Sequence, residues 1–154
     1  MRLWLLRHGE AEPRAATDAQ RELTRHGRKD VLQTAAVLAG RPLGAILASP
    51  YVRAQQTAEL VRDALGFNAA VGTVPWLTPD SDPREALDFL AERGEQDLLL
   101  VTHNPFVSDL AGFLIHGHRQ EPVPMGTASL AELEGDLLVP GLMSLRTVHH
   151  VRRH

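Results

Sequence analysis

Three short stretches of the sequence hold residues able to do chemistry: Arg7-His8-Gly9, Ser49-Pro50-x-x-Arg53, and His103. A neutral imidazole is a good nucleophile toward phosphorus near neutral pH, and the phosphoramidate it forms can later be cleaved by water. Arginine's planar fork binds phosphoryl oxygens two at a time and offsets the charge spread over them during in-line transfer. A glycine after the histidine lets the backbone turn sharply and approach a phosphate. Two imidazoles and two guanidiniums in one place would make a phosphoryl-transfer site that needs no metal or other cofactor. Taken singly, each residue has a plainer reading. A histidine at a strand end is commonly a hydrogen-bonded structural residue, and Arg53 a solvated helix residue or ion-pair partner. Only together do they point to phosphoryl transfer.

The elements that must position them are short apolar runs alternating with amphipathic stretches. Leu3 to Leu6 and Ala45 to Ala48 have the length and composition of strands buried on both faces. Asp97 to Thr102 is the strongest such signal, and Val71 to Trp76 predicts a third, edge-like strand. Thr24 is placed to cap a helix reaching about Ala39, with Val31, Ala35 and Leu38 on one face. Ser49 and Pro50 look like the cap and first residue of a helix that Gly66 ends. Further helices are expected over Arg84 to Arg93, closed by Gly94, and from Asn104-Pro105 to about Ile115. Gly126 to Val148 holds two strand-like segments broken by Gly135-Asp136 and Pro140-Gly141. The alternation predicts an α/β fold of three layers, αβα, with a mostly parallel central sheet and one antiparallel edge strand. Chemistry in such sheets collects beyond the carboxyl ends of the strands. His8, Ser49, Arg53 and His103 follow three of those ends, and helix N-termini near Pro50 and Asn104 would add partial positive charge there.

Composition bounds the rest. The 154 residues are the length of one domain, 1–154, able to bury roughly two thirds of its unfolded surface without staples. The chain is 44% hydrophobic and 23% charged, with no cysteine, which excludes disulfides, thiolate catalysis and cysteine-based metal sites. A net charge of −3 gives no electrostatic reason to bind nucleic acid or an anionic membrane. No run of about 18 apolar residues is present, and the start is too short for a signal peptide, so the cytoplasm is the expected compartment. Arg25-His26-Gly27 repeats Arg7-His8-Gly9, but Glu22-Leu23-Thr24 precedes it instead of an apolar strand, so His26 is expected to be solvated. His116, His118, His149, His150 and His154 cluster late in the chain, where a loop and a solvated tail are the expectation and metal binding the alternative.

The stretch Leu5-Leu6-Arg7-His8-Gly9-Glu10 resembles the histidine phosphatase superfamily, the group that includes the phosphoglycerate mutases. The likeness extends through Leu23-Thr24-x-x-Gly27, Ser49-Pro50-x-x-Arg53-Ala54-x-Gln56-Thr57-Ala58 and Val101-Thr102-His103, in order along most of the chain. The short length and Asp18-x-x-Arg21-x-Leu23-Thr24 are similar to its SixA-type phosphohistidine phosphatases, as are Leu77-Thr78-Pro79 and Pro124-Met125 with Thr127 and Ser129. The resemblance implies a phosphoglycerate mutase-like fold, with His8 taking up the phosphoryl group. Arg7, Arg53 and a cationic His103 would grip its oxygens, Gly9 would lie against it, and Arg21 would reach in from the loop unless it pairs with Asp18 or Glu22. It also implies a substrate that is a phosphorylated histidine-containing phosphotransfer protein or a small phosphorylated molecule.

Many members of that superfamily place a glutamate after the third strand as acid for an alcohol leaving group. Here the region reads Trp76-Leu77-Thr78-Pro79-Asp80-Ser81-Asp82, with Asp80, Asp82 and Glu85 as possible substitutes. An alkoxide needs that proton and an imidazole leaves far more easily, so the missing acid favours an N–P substrate. Short insertions should leave the site open to a phosphohistidine carried on another protein. The alternatives are a metal-independent phosphomonoesterase acting on a small metabolite and a phosphate-binding module without turnover. A mutase is disfavoured because so short a chain offers little for a lid.

Overall fold

In the computed structural model, residues 1–151 are described. Six strands join one sheet in the order β3-β2-β4-β1-β5-β6. They are β1 (Arg2–Arg7), β2 (Ala45–Ala48), β3 (Gly72–Thr73), β4 (Asp97–Thr102), β5 (Leu130–Glu134) and β6 (Ser144–His149). Four helices lie between them: α1 (Arg25–Val37), α2 (Val52–Leu65), α3 (Pro83–Ala91) and α4 (Phe106–His116). Strands β1 to β4 pair in parallel, β5 runs antiparallel to β1, and β6 antiparallel to β5. The antiparallel member therefore stands one place in from the edge, and β6 closes that side. This is the three-layer α/β arrangement expected from the alternation.

The apolar runs are buried on both faces, and their two-residue period divides them between two cores. Leu3, Leu5, Leu98 and Leu100 pack with Ala86 and Leu90 of α3 and Val107, Leu110 and Leu114 of α4. Trp4, Leu6, Leu99 and Val101 pack with Val31 and Ala35 of α1 and Ala54, Ala58 and Val61 of α2. Each fully buried leucine contributes about 2 kcal/mol. These cores hold the central strands still while their carboxyl ends carry polar residues.

Some boundaries differ from the expectation. The third strand is only two residues long, paired with Leu47 and Ala48, because Thr-Val-Pro-Trp soon turns away from the sheet. Helix α2 begins at Val52, with Tyr51 as its N-cap, so Ser49 and Pro50 lie before it. Helix α3 starts one residue early, with Pro83 in its first turn and the Asp82 carboxylate accepting from Arg84 N–H. Helix α4 begins at Phe106. Thr24 caps α1 as expected, its Oγ1 accepting from Gly27 N–H at 2.9 Å.

Candidate active site

Register brings the two histidines together. Arg7 lies opposite Thr102 in the β1–β4 ladder, so His8 and His103 leave adjacent parallel strands at the same level. His8 N–H donates to Thr102 O at 3.0 Å, and the ring centroids are 5.0 Å apart, tilted by 59°. Both rings are buried. Arg53, in the first turn of α2, is buried too and donates its Nε–H to His8 Nε2 at 3.3 Å. Sequence reasoning named these three, and the fold brings them together.

The His8 tautomer follows from its partners. Gly9 O, a carbonyl, can only accept, so the 2.7 Å contact places the hydrogen on His8 Nδ1. Nε2 therefore keeps its lone pair and points at Arg53. The His8 pKa is pushed down to about 4, first by burial and further by Arg53, Arg7 and Arg21, against the opposing bond to Gly9 O. The ring is neutral at physiological pH, as a nucleophile requires.

His103 is also neutral, which corrects the expectation of a cation. Burial, the neighbouring His8 and Arg53 push its pKa down to about 3, outweighing the attraction of Asp18. Its Nε2 lies 2.7 Å from Ser49 Oγ, and that hydroxyl accepts from Tyr51 N–H at 3.2 Å. In the tautomer where the serine donates to Nε2, the hydrogen lies on His103 Nδ1. That Nδ1 is buried without a partner, as is Arg7 Nε. In that tautomer two unsatisfied donors among the described residues stand at the ends of neighbouring strands, an arrangement fitted to an oxyanion. Arg7 is held from its other side by Met125 O, which accepts from Nη1 at 3.0 Å and also from Asn104 Nδ2 at 2.8 Å.

The glycines serve packing more than phosphate approach. A Cβ on Gly9 would come within 2.8 Å of both Gly27 O and Val31 Cγ2, and one on Gly27 within 2.1 Å of Glu10 O. The backbone after His8 thus lies flush against the start of α1. The Gly9 amide is already used, donating to Thr57 Oγ1 at 3.1 Å, so it is not a free donor for a phosphate. In the second Arg-His-Gly copy only the glycine matters to the site, since His26 is exposed.

Arg21 lies beside the cradle but is turned to the loop. Its Nε–H donates to Glu12 O at 2.6 Å and its Nη1 pairs with Asp18 at 2.9 Å, the ion pair that was its alternative reading. Asp18 was missed by sequence reasoning, although it stands three residues before Arg21 in a motif already singled out. Its carboxylate also pairs with Arg53 Nη2 at 3.2 Å, and its carbonyl accepts from Arg53 Nη1 at 2.7 Å. Ser49 was placed at a strand end but given only a capping role, and Tyr51, whose ring lies T-shaped to His103 with centroids 4.9 Å apart, was missed entirely.

The possible acids do local work: Asp80 accepts from Thr78 Oγ1, Asp82 caps α3 and pairs with Arg119, and Glu85 sits in the first turn of α3. The late histidines separate. His116 and His118 stack with ring centroids 5.7 Å apart, whereas His150 Nδ1 meets Ser129 Oγ at 2.8 Å. His154 lies outside the described residues. Among the described residues no group of three His, Cys, Asp or Glu side chains is arranged to hold a metal ion.

Comparison with known proteins places this geometry. The model of the histidine phosphatase superfamily (branch 1) matches residues 3–77. The phosphohistidine phosphatase SixA of Escherichia coli (strain K12) is 34% identical over 134 residues, covering 84% of this chain and 81% of that protein. The chain belongs to the histidine phosphatase superfamily. Within the superfamily it is of the SixA type: a SixA homolog from Haemophilus influenzae is 32% identical over 148 residues, covering 88% of this chain and 89% of that one. A solved structure of the protein histidine phosphatase SixA complexed with tungstate superposes with a TM-score of 0.86 at 29% identity, covering 96% of each chain. The superfamily match spans β1 to the turn after β3, and so contains His8, Asp18, Arg21 and Arg53.

Proposed function

We propose that this chain is a phosphohistidine phosphatase that carries the phosphoryl group through His8. The observation that supports it most is the state of that ring: buried, neutral, with Nδ1–H fixed on Gly9 O and the Nε2 lone pair facing Arg53. In this reading Nε2 attacks phosphorus in line, and the P–N bond to the substrate imidazole breaks with its electron pair leaving on that ring. Arg53, Arg7 and the Nδ1–H of His103 hold the equatorial oxygens as charge spreads over them. His8 then carries phosphorus on Nε2 and hydrogen on Nδ1. Water attacks phosphorus, the N–P electron pair returns to Nε2, and the protons of water leave with phosphate. The nucleophile neither gains nor loses a proton over the cycle, so no base beside it is needed.

The substrate we favour is a phosphohistidine on a protein, such as a histidine-containing phosphotransfer protein. No glutamate stands between β3 and α3, Asp80 and Asp82 there are engaged locally, and Glu85 sits in the first turn of α3, which suits an imidazole leaving group. The two relatives of 32% and 34% identity are named as a phosphohistidine phosphatase SixA homolog and the phosphohistidine phosphatase SixA. The cradle is also open at one side, where the Asp18 side chain, 59% exposed, meets the buried Arg53. A cysteine-free chain suits the reducing cytoplasm, where we place it; among the described residues no helix is long and apolar enough to cross a membrane. The test is a side-by-side assay of a phosphohistidine protein and small phosphate monoesters. A kcat/KM at least a hundredfold higher on the phosphohistidine protein supports the reading; a preference for a metabolite ester overturns it.

A further inference from the structure

The loop from Glu12 to Glu22 is pinned at its neck by the Ala11–Leu23 bridge and by Glu12 N–H donating to Glu22 O at 2.7 Å. At its far side a short 3-10 turn (Asp18–Gln20) points a carboxylate into the arginines of the site. One oxygen of Asp18 takes Arg21 Nη1 at 2.9 Å and the other takes Arg53 Nη2 at 3.2 Å. The same Arg53 guanidinium reaches His8 Nε2 through Nε, so a single planar group separates the carboxylate from the nucleophile. Arg53 does not depend on that carboxylate for its place. The backbone carbonyl of Asp18 also holds it, at 2.7 Å, and the aliphatic stem is buried at the start of α2. What the side chain adds is a negative charge at the open rim of a site built for anions. Hydrogen bonds from Arg21 and Arg53 keep its carboxyl below the usual carboxylate range, so it is ionised wherever the enzyme works and cannot serve as an acid.

We infer that Asp18 is a specificity-determining residue, a fixed charge at the rim that selects against anionic leaving groups and in favour of imidazole. This rests on the phosphohistidine reading and names how that site would choose its substrate. An ester leaves as an alkoxide or phenolate, whose growing negative charge the carboxylate repels. A phosphohistidine protonated on its second ring nitrogen carries a positive charge that the carboxylate attracts, and the ring departs neutral once the P–N pair returns to it. One unit charge a few ångströms away through a half-aqueous rim corresponds to roughly a tenfold change in rate.

The experiment compares the full chain with its Asp18→Asn and Asp18→Glu variants on a phosphohistidine peptide and on p-nitrophenyl phosphate, with orthovanadate as inhibitor. Asp18→Asn keeps the backbone carbonyl and an acceptor oxygen but loses the charge. The expected result is about a tenfold rise in kcat/KM on the aryl ester, tighter vanadate inhibition and a fall on the phosphohistidine, with Asp18→Glu restoring the wild-type preference. Raising salt should move the wild-type substrate ratio toward that of Asp18→Asn and leave the variant's ratio nearly still. Equal loss on both substrates would overturn the inference, because it would make Asp18 only a support for Arg53; an unmoved ratio would overturn it as well. Failure of the wild-type chain on phosphohistidine would sink the functional reading instead, while the ester and vanadate arms still report on the charge at the rim.

Discussion

Acid should destabilise this protein through the two site histidines in particular. An unfolded imidazole titrates near 6.5, whereas His8 and His103 in the fold titrate at about 4 and about 3. Between those values the unfolded chain binds protons that the folded chain refuses, so stability is full above about pH 6.5 and is lost as pH falls toward 4. Going from about pH 7.5 to about pH 4.5, a ring shifted as far as His8 loses about 2.5 kcal/mol. The rings lie 5.0 Å apart and bear on one another, so the pair together should lose between about 2.5 and 5 kcal/mol. Carboxylates elsewhere also titrate over this range, and a comparison removes them. Urea unfolding at both pH values would be measured for the wild type and for a His8→Asn/His103→Asn double variant. The wild type should lose more stability than the variant by about that amount. Equal losses in the two proteins would refute the assignment of both rings as buried and neutral.

Three further outcomes follow from the same geometry. The active form of His8 is the neutral one, so kcat/KM on an acid-stable aryl phosphate should show no enzyme-borne loss near pH 6.5 and should fall only as pH approaches about 4. Ser49→Ala removes the partner of His103 Nε2 and frees its tautomer; we expect kcat/KM to fall about tenfold or more while stability, read by urea unfolding, changes by about 1 kcal/mol. Gly27→Ala would push a methyl into Glu10 O, and a loss of about 2 kcal/mol or more in thermal unfolding, together with lower kcat from a displaced His8 backbone, should be seen.

The parts of this molecule written in local pattern were legible, and those written in long-range contact were not. Leu3 to Leu6, Ala45 to Ala48 and Leu98 to Val101 announce buried strands by composition, and the residues after a parallel strand must emerge at one edge. That was enough to bring His8, Arg53 and His103 together. Asp18 escaped because an exposed aspartate three residues from an arginine reads as a local ion pair; its second partner, Arg53, lies 35 positions away. Ser49 escaped because a serine before a proline suits a helix cap, and only the fold shows its hydroxyl turned to a histidine 54 positions on. The charge of His103 was misjudged for a related reason. Burial and neighbouring guanidiniums set it, and neither is visible in a strand-end motif. Gly9 was recognisable as a required glycine, but the need is the close approach of its loop to the start of α1 at Gly27.

The central claim is that His8 Nε2 accepts the phosphoryl group. Rapid quenching in alkali after mixing the protein with a radiolabelled phosphohistidine peptide, followed by peptide mapping, tests it directly. Acid-labile, alkali-stable phosphate on the peptide containing His8, absent from a His8→Ala protein that has also lost turnover, is the predicted result. Label appearing elsewhere, or turnover persisting without this imidazole, would contradict the account.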